Sequence, residues 1–439
     1  MKQGHNILCW FVKNPIYTII IVSLFIRLII IALYQHITIF PDSADYIELA
    51  KRLLSFDLKG YEGQRSPGYP LLLSFANTNL YIIVIFQSIL GIITNIYIYK
   101  ICLILNLRNN IALILTLLLV CYIPTIFFEY AILTESLTLF IVTISFYILF
   151  QLLKQYNPNT KYYLFLSISI AFLVLIKPFY IYLSIVVFIP LLFHHINEKI
   201  SFSKILFIII FPTIIFISWS TVNKSNTGHF TSTTYYGFNI AQNCVSFAEN
   251  TSEEYKEIGS IYAKYREKND SSKYEIAMTI WEAYPELKEK TGLSFPDLSN
   301  KLYNYSVVTI KMNPIAYLKQ VAISWVDFWK TSLYWEYDSF VIPHSNLVLK
   351  YICYTERIIL QLIKLLFICF IPIHLFAFLR KRKLSAQLII SLVILTASIL
   401  QALVTYGTNS RFSFPFEMLI VVSVFLDCLL LRRYIKQKS

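Results

Sequence analysis

Apolar residues in this chain come in unbroken blocks of about 20, the number a helix needs at 1.5 Å per residue to cross a hydrocarbon core about 30 Å thick. The run IYTIIIVSLFIRLIIIALY (16–34) is typical. It has no polar face of the kind that keeps a surface helix in water. Nor does it alternate, as strands of a membrane barrel must. Backbone polar groups in lipid have to be satisfied within the segment, so blocks of this kind are helices. The chain is 57% hydrophobic and only 14% charged. A soluble chain carries about 25% charged residues, so lipid is the solvent for most of this one.

The blocks and their flanks predict an all-α polytopic membrane protein with about ten transmembrane helices. The expected spans are 15–36, 80–102, 111–128, 131–153, 162–176, 179–193, 205–222, 358–379, 384–406 and 412–431. The first is too long, and lacks the small-residue site, for a cleavable signal. Three regions follow. Residues 1–222 hold helices one to seven and the loop 37–79. Residues 223–350 form a mainly helical extracytoplasmic loop domain, and 351–439 hold helices eight to ten.

The formal net charge of +13 invites a nucleic-acid reading, but its placement excludes one. Lys2, Lys13, Lys100, Arg108, Lys154, Lys161, Lys199, Lys204, Arg380, Lys381, Arg382, Lys383, Arg432, Arg433, Lys436 and Lys438 fall in alternate loops and termini, with Glu198 the one clear acid among them. Residues 223–350 hold 13 Lys and Arg against 14 Asp and Glu. The excess is a positive-inside signal. It places both termini in the cytosol, and loops 37–79 and 223–350 on the opposite side; a cytoplasmic (inner) membrane is the expected location. In the long loop, 253–268 and 272–290 read as solvated helices. Ile315 to Trp329 reads as an amphipathic interfacial helix.

The seven cysteines form no CxxC pair, and most lie in apolar blocks as small hydrophobes. A Cys244–Cys353 bridge is compatible with their positions. His229 and His344 fall in the long loop, where a lone His is more often structural than catalytic.

The loop after the first span carries the densest chemistry: PDSADYIELA (41–50), then RSPGYP (65–70). Asp42 and Asp45 share one face if residues 43–55 are helical. Ile47, Ala50, Leu53 and Leu54 would then face the membrane. Two readings of Asp42 stand side by side. It is an N-cap for that helix, or it is a carboxylate at the membrane surface that takes a proton from an acceptor as it attacks. Cations at the same level are Arg65, Lys177 and Arg411. A guanidinium suits phosphate because it binds in bidentate fashion. Arg27 and Lys364 lie inside spans, where ionisable groups are costly. Glu135 and Glu417 are candidate partners for them, and Glu135 is also placed to pair with one of the outer cations.

The run PDSADYIELAKRLL…YEGQRSPGYPLLL resembles the first external loop of GT-C glycosyltransferases. Its nearest group is the bacterial dolichyl-phosphate-mannose-protein mannosyltransferase-like family, which includes the aminoarabinose transferases of lipid A. ILTESLTLF (132–140), LIKPF (175–179), NPIAYLKQV (313–321) and SRFSFPFEML (410–419) fit that pattern in order. The resemblance implies a GT-C-like fold and an inverting transfer of a sugar from a polyprenyl-phosphate donor to a lipid, glycan or protein acceptor. It implies Asp42 as base with Asp45 beside it, Arg65, Lys177 and Arg411 near the lipid phosphate, and Tyr46, Tyr69 and Glu135 in support. Many relatives have Asp-Glu where this chain has Asp42-Ser43. No obligatory cofactor is therefore expected. A divalent metal would draw its second carboxylate from Asp45 or Glu48. A polysaccharide polymerase or ligase, or a lipid-linked glycan transporter, is the alternative. The acidic loop argues against the first, and the lack of an inverted repeat against the second.

Overall fold

The computed structural model describes residues 11–155, 158–198, 202–270, 276–331, 336–407 and 409–438. Lys2, Cys9, Lys199 and part of the expected helix 272–290 lie outside them. The described residues are almost entirely helical. They form no named strand and only two isolated bridges, Tyr34 with Phe340 and Thr38 with Ala131.

In chain order, α1 (Pro15–Leu33) is a span, and α2 (Pro41–Leu54) and α3 (Gly68–Phe75) form the loop that follows. The spans α4 (Leu80–Ile104), the pair α5 (Asn109–Val120) and α6 (Ile123–Tyr130), α7 (Glu135–Lys154) and α8 (Thr160–Ile176) come next. A short 3-10 turn at Pro178–Ile181 leads into α9 (Tyr182–Glu198), and α10 (Phe202–Thr227) follows. An insertion holds α11 (Tyr236–Gln242), α12 (Lys256–Asp270), α13 (Thr279–Thr291), α14 (Phe295–Met312) and α15 (Pro314–Phe328). The chain ends with α16 (Ser345–Lys381), α17 (Ala386–Val404), α18 (Asn409–Ser413) and α19 (Glu417–Lys438).

Among the described residues, eight helices are long and apolar enough to cross a membrane, or nine if one bent pair counts as a span. The remaining expected span, the fifth (162–176), is α8, which has only 17 residues and so reaches about 25 Å. It packs between α7 and α10.

Three boundaries differ from expectation, each for a local reason. The third span is broken by 51° between α5 and α6. Pro124 sits in the first turn of α6, where its missing N–H is harmless but a continuous helix would lose a bond. The fourth span starts at Glu135 and not at Ala131, because Ala131 is extended and pairs with Thr38. The eighth begins at Ser345 and runs 37 residues, about 55 Å, so its first turns belong to what reads as loop.

The insertion has its own core. Phe238 is stacked between Trp281 at 4.6 Å and Phe295 at 4.9 Å. The expected amphipathic helix is α15. Its apolar residues Ile315, Leu318, Ile323 and Val326 point outward, while Gln320, Ser324 and Phe328 are buried. An apolar exterior over a polar interior is the pattern lipid selects. In α2 the expectation fails. Ala50 is fully buried, Leu53 packs against a cluster containing Tyr61 and Trp219, and only Leu54 of the four apolar residues is exposed. Cys244 and Cys353 are free thiols, both buried.

Candidate functional site

The start of α2 sets the site. Phe40 is the N-cap residue and Pro41 opens the helix, which suits a ring with fixed φ and no N–H. Asp42 is therefore inside the first turn and is not the cap. Ser43 does that work: its Oγ accepts from the Phe40 N–H at 2.9 Å and donates to the Ile132 carbonyl at 2.8 Å. Ser43 is fully buried and joins α2 to the extended stretch before α7. The same stretch pairs with Thr38, whose N–H donates to the Tyr130 carbonyl at 3.0 Å and whose carbonyl accepts from the Ile132 N–H at 3.1 Å. Asp42 and Glu135 thereby stand in the first turns of two helices whose leading segments are tied to each other.

Six ionised side chains then form a chain of alternating sign. Arg65 Nε donates to Asp45 Oδ2 at 3.1 Å, and its Nη2 to Asp42 Oδ1 at 2.8 Å. Arg411 Nη1 donates to Asp42 Oδ2 at 3.0 Å, and its Nε to Glu135 Oε1 at 3.0 Å. Lys177 Nζ closes the series on Glu135 Oε1 at 3.1 Å. The order is Asp45, Arg65, Asp42, Arg411, Glu135, Lys177. Side-chain exposure is 0% at Glu135 but 33% at Asp42 and 28% at Asp45, so the aspartates are the more open part of the chain. Burial pushes the Asp42 carboxyl up, but the Arg65 and Arg411 guanidiniums beside it pull it down further, to about 2.

Aromatic rings fix Arg65. Its guanidinium lies 4.8 Å from the Tyr46 ring centre and 4.5 Å from that of Tyr235, as cation–π attraction favours. The Tyr61 hydroxyl accepts from the Arg65 N–H at 2.6 Å and donates to its carbonyl at 2.7 Å. Tyr69 does not touch the ionic chain. It packs edge-on against Tyr46 at 5.3 Å, and its hydroxyl donates to Gln87 Oε1 at 3.1 Å. Lys177 sits 4.7 Å over the Phe412 ring.

Tyr235 is absent from the sequence reading. Its hydroxyl donates to Asp45 Oδ2 at 2.5 Å. It arrives on a strap, residues 231–235, laid across the loop that carries Arg65. Thr233 and Thr234 hydroxyls donate to the Gln64 and Glu62 carbonyls at 2.7 and 2.8 Å, and the Thr234 N–H to Gly63 at 2.9 Å. Partners about 170 residues apart leave no local signal, so pattern alone had no means of finding this tyrosine.

The in-span charges are paired elsewhere. Arg27 takes Glu129, not Glu135. Lys364 takes Glu417 at 2.7 Å. His229 is engaged by Asp297 at 2.8 Å. Among the described residues, no group of three or more His, Cys, Asp or Glu is placed to hold a metal ion.

Two changes test this packing. Glu135→Gln leaves Lys177 and Arg411 without their shared buried anion. A loss of about 3–5 kcal/mol in unfolding free energy is expected, read from unfolding in mixed SDS micelles. Gly68 explains the approach of α3 to α8: an added Cβ would lie 2.6 Å from the Ile176 nitrogen and the Leu175 carbonyl carbon, backbone that cannot rotate away. Gly68→Ala is expected to destabilise by about 1–3 kcal/mol in the same assay. An unchanged midpoint in either variant contradicts the contact described.

Two solved structures are similar to this chain. One is the archaeal oligosaccharyltransferase AglB from Archaeoglobus fulgidus in complex with an inhibitory peptide and a dolichol-phosphate, at 10% identity and a TM-score of 0.46, covering 98% of this chain and 52% of that one. The other is the Archaeoglobus fulgidus oligosaccharyltransferase tethered to an acceptor peptide containing the NVT sequon via a disulfide bond, at 11% identity and a TM-score of 0.46, covering 97% and 51%. This chain spans about half the length of each. No curated protein matches it. A family model described as "Domain of unknown function (DUF8201)" matches residues 70–290. That is 221 of 439 residues, and the chain belongs to this DUF8201 family.

Proposed function

We propose that this protein is an integral membrane glycosyltransferase that moves a sugar from a polyprenyl-phosphate donor to an acceptor hydroxyl or amine on the non-cytoplasmic side. The observation that carries the reading is Asp42, a partly exposed carboxylate bridging Arg65 and Arg411 in the more open part of a buried ionic chain. The resemblance of the 41–73 loop to GT-C enzymes supports it independently.

In this reading the donor phosphate draws on Arg411 and Lys177, whose present partners are carboxylates of like charge to the phosphate. As Arg411 turns to the phosphate, Asp42 loses one of the two cations that hold it near 2 and becomes a better base. The acceptor oxygen or nitrogen attacks the anomeric carbon, and its proton passes to Asp42. The bond from anomeric carbon to phosphate oxygen breaks with its electron pair on that oxygen, where the cations meet the new charge. Attack opposite the leaving group inverts the anomeric centre. Arg65, clamped by Tyr46, Tyr61 and Tyr235, fixes the two aspartates more than it binds phosphate. The strap and the insertion behind it flank this more open part and select the acceptor.

The test is a panel of radiolabelled polyprenyl-phosphate sugars offered to the full chain in nanodiscs. Wild type is expected to consume one of them and the Asp42→Asn variant to leave it intact. Equal turnover by both removes Asp42 from the chemistry. Consumption of none, with lipid-linked glycan moved across the bilayer instead, replaces the transferase reading with a transporter.

A further inference from the structure

The ends of α4 and α19 and the start of α17 form a second feature. The turn at the end of α4, the start of α17 and the last turns of α19 enclose a cleft of about 390 Å³. Its floor is Leu107, Leu426, Leu429 and Leu430, and Arg433 stands at its mouth. Leu430 is 54% exposed, so the apolar floor continues onto the lipid-facing surface of α19. Lys154 borders the cleft, donating to two of its lining residues, the Ile104 carbonyl at 3.3 Å and Asn106 Oδ1 at 3.4 Å. One wall is the first turn of the 19-residue helix α17, where Ser385 caps the Leu388 N–H at 3.1 Å. The N–H groups of Ala386 and Gln387 there have no intrahelical partner. Two cations and a helix start over leucines make a place for an anion with a hydrocarbon tail.

We propose that this cleft binds one anionic phospholipid of the cytosolic leaflet, with its phosphate between Lys154 and Arg433 and an acyl chain along Leu426, Leu429 and Leu430. Charge complementarity selects the anion. Arg380, Lys381, Arg382, Lys383 and Arg432 add positive charge at the same end, which repels the ammonium of a zwitterionic headgroup. The leucine floor, open sideways to the bilayer, selects a lipid over soluble phosphate. The site is independent of the sugar-transfer reading and of which donor the enzyme takes.

Native mass spectrometry of the full chain in detergent tests it. Phosphatidylglycerol, phosphatidylcholine and inorganic phosphate are titrated separately. Wild type is expected to retain one phosphatidylglycerol in preference to phosphatidylcholine and to hold no inorganic phosphate. The Lys154→Ala/Arg433→Ala variant should bind phosphatidylglycerol about thirty-fold more weakly, at roughly 1 kcal/mol for each surface cation. Leu429→Trp, which fills the floor and keeps both cations, should also lose it. Arg432→Ala removes the same charge outside the cleft and should change little. Equal retention of the two lipids, or a loss in Arg432→Ala as large as in Lys154→Ala/Arg433→Ala, overturns the site in favour of diffuse attraction.

Discussion

Asp42→Asn is expected to lower sugar transfer by about 10²–10⁴-fold, the usual worth of a positioned general base, with little change in stability. The two effects separate because of where Asp42 sits. Its side chain is 33% exposed, and ion pairs that open to water contribute only about 1 kcal/mol or less. Asparagine keeps the shape and can still accept from one guanidinium, so the α2 start, which Ser43 secures, should hold. What asparagine cannot do is take a proton. Asp45→Asn is the comparison. Asp45 touches Arg65 and Tyr235 but is not on Arg411, so its loss should raise the acceptor KM more than it lowers kcat. The pH profile gives a second reading. Burial raises the Asp42 pKa, but Arg65 and Arg411 outweigh it and leave it at about 2. A group with a depressed value stays ionised as pH falls, until pH nears that value. Wild-type kcat/KM, which reports the free enzyme, should therefore show no fall between pH 7 and 5 that Asp42→Asn removes. A fall near pH 6 that disappears in Asp42→Asn contradicts the geometry. Undiminished transfer by Asp42→Asn contradicts the role.

The site was legible in the sequence where chemistry follows from local constraint. An acid just past a span, a Lys before Pro178 and an Arg opening the last span are each fixed at the same depth by lipid thickness, so hydropathy alone brought Asp42, Lys177 and Arg411 to one level. The order along the ionic chain was not legible. Glu135 is expected at the end of a span, but its choice of Lys177 and Arg411 over Arg27 depends on the break between α5 and α6. That break carries Glu129 to Arg27 instead. Asp42 looked equally good as a cap, and only the Ser43 bonds to Phe40 and Ile132 decide the matter. The apolar face of α2 was misassigned to lipid because the residues that cover it, Tyr61 and Trp219, come from a loop and from α10. Pairing across 100 residues or more, as in Tyr235 with Asp45, is set by the whole bundle and has no period to read.

Lys364→Met is expected to destabilise the protein by about 3–5 kcal/mol, because it strands a carboxylate in the bundle interior. Lys364 is fully buried and its ammonium is saturated, donating to Glu417 Oε1 at 2.7 Å, Ser413 Oγ at 2.9 Å and the Lys330 carbonyl at 3.0 Å. Glu417, 3% exposed, would be left with one donor, the Tyr122 hydroxyl at 2.9 Å. The double variant Lys364→Met/Glu417→Gln removes the orphaned charge and keeps an acceptor for Tyr122. It should recover more than half of the loss, a coupling within the 0.5–3 kcal/mol range of interacting neighbours, read from unfolding in mixed SDS micelles. Additive losses in the single and double variants contradict the pairing. Recovery of stability should not bring full recovery of transfer. Ser413 lies two residues beyond Arg411, and the turn before Arg411 is gripped by the insertion, with Ser324 Oγ donating to the Thr405 carbonyl at 2.6 Å and the Tyr317 hydroxyl to the Leu403 carbonyl at 2.8 Å. Lys364 holds the other flank of that segment. The double variant should therefore fold well yet bind donor weakly, with a raised donor KM, since its arginine is anchored on one side only. Wild-type donor KM in the refolded double variant would show that the insertion alone suffices to place Arg411.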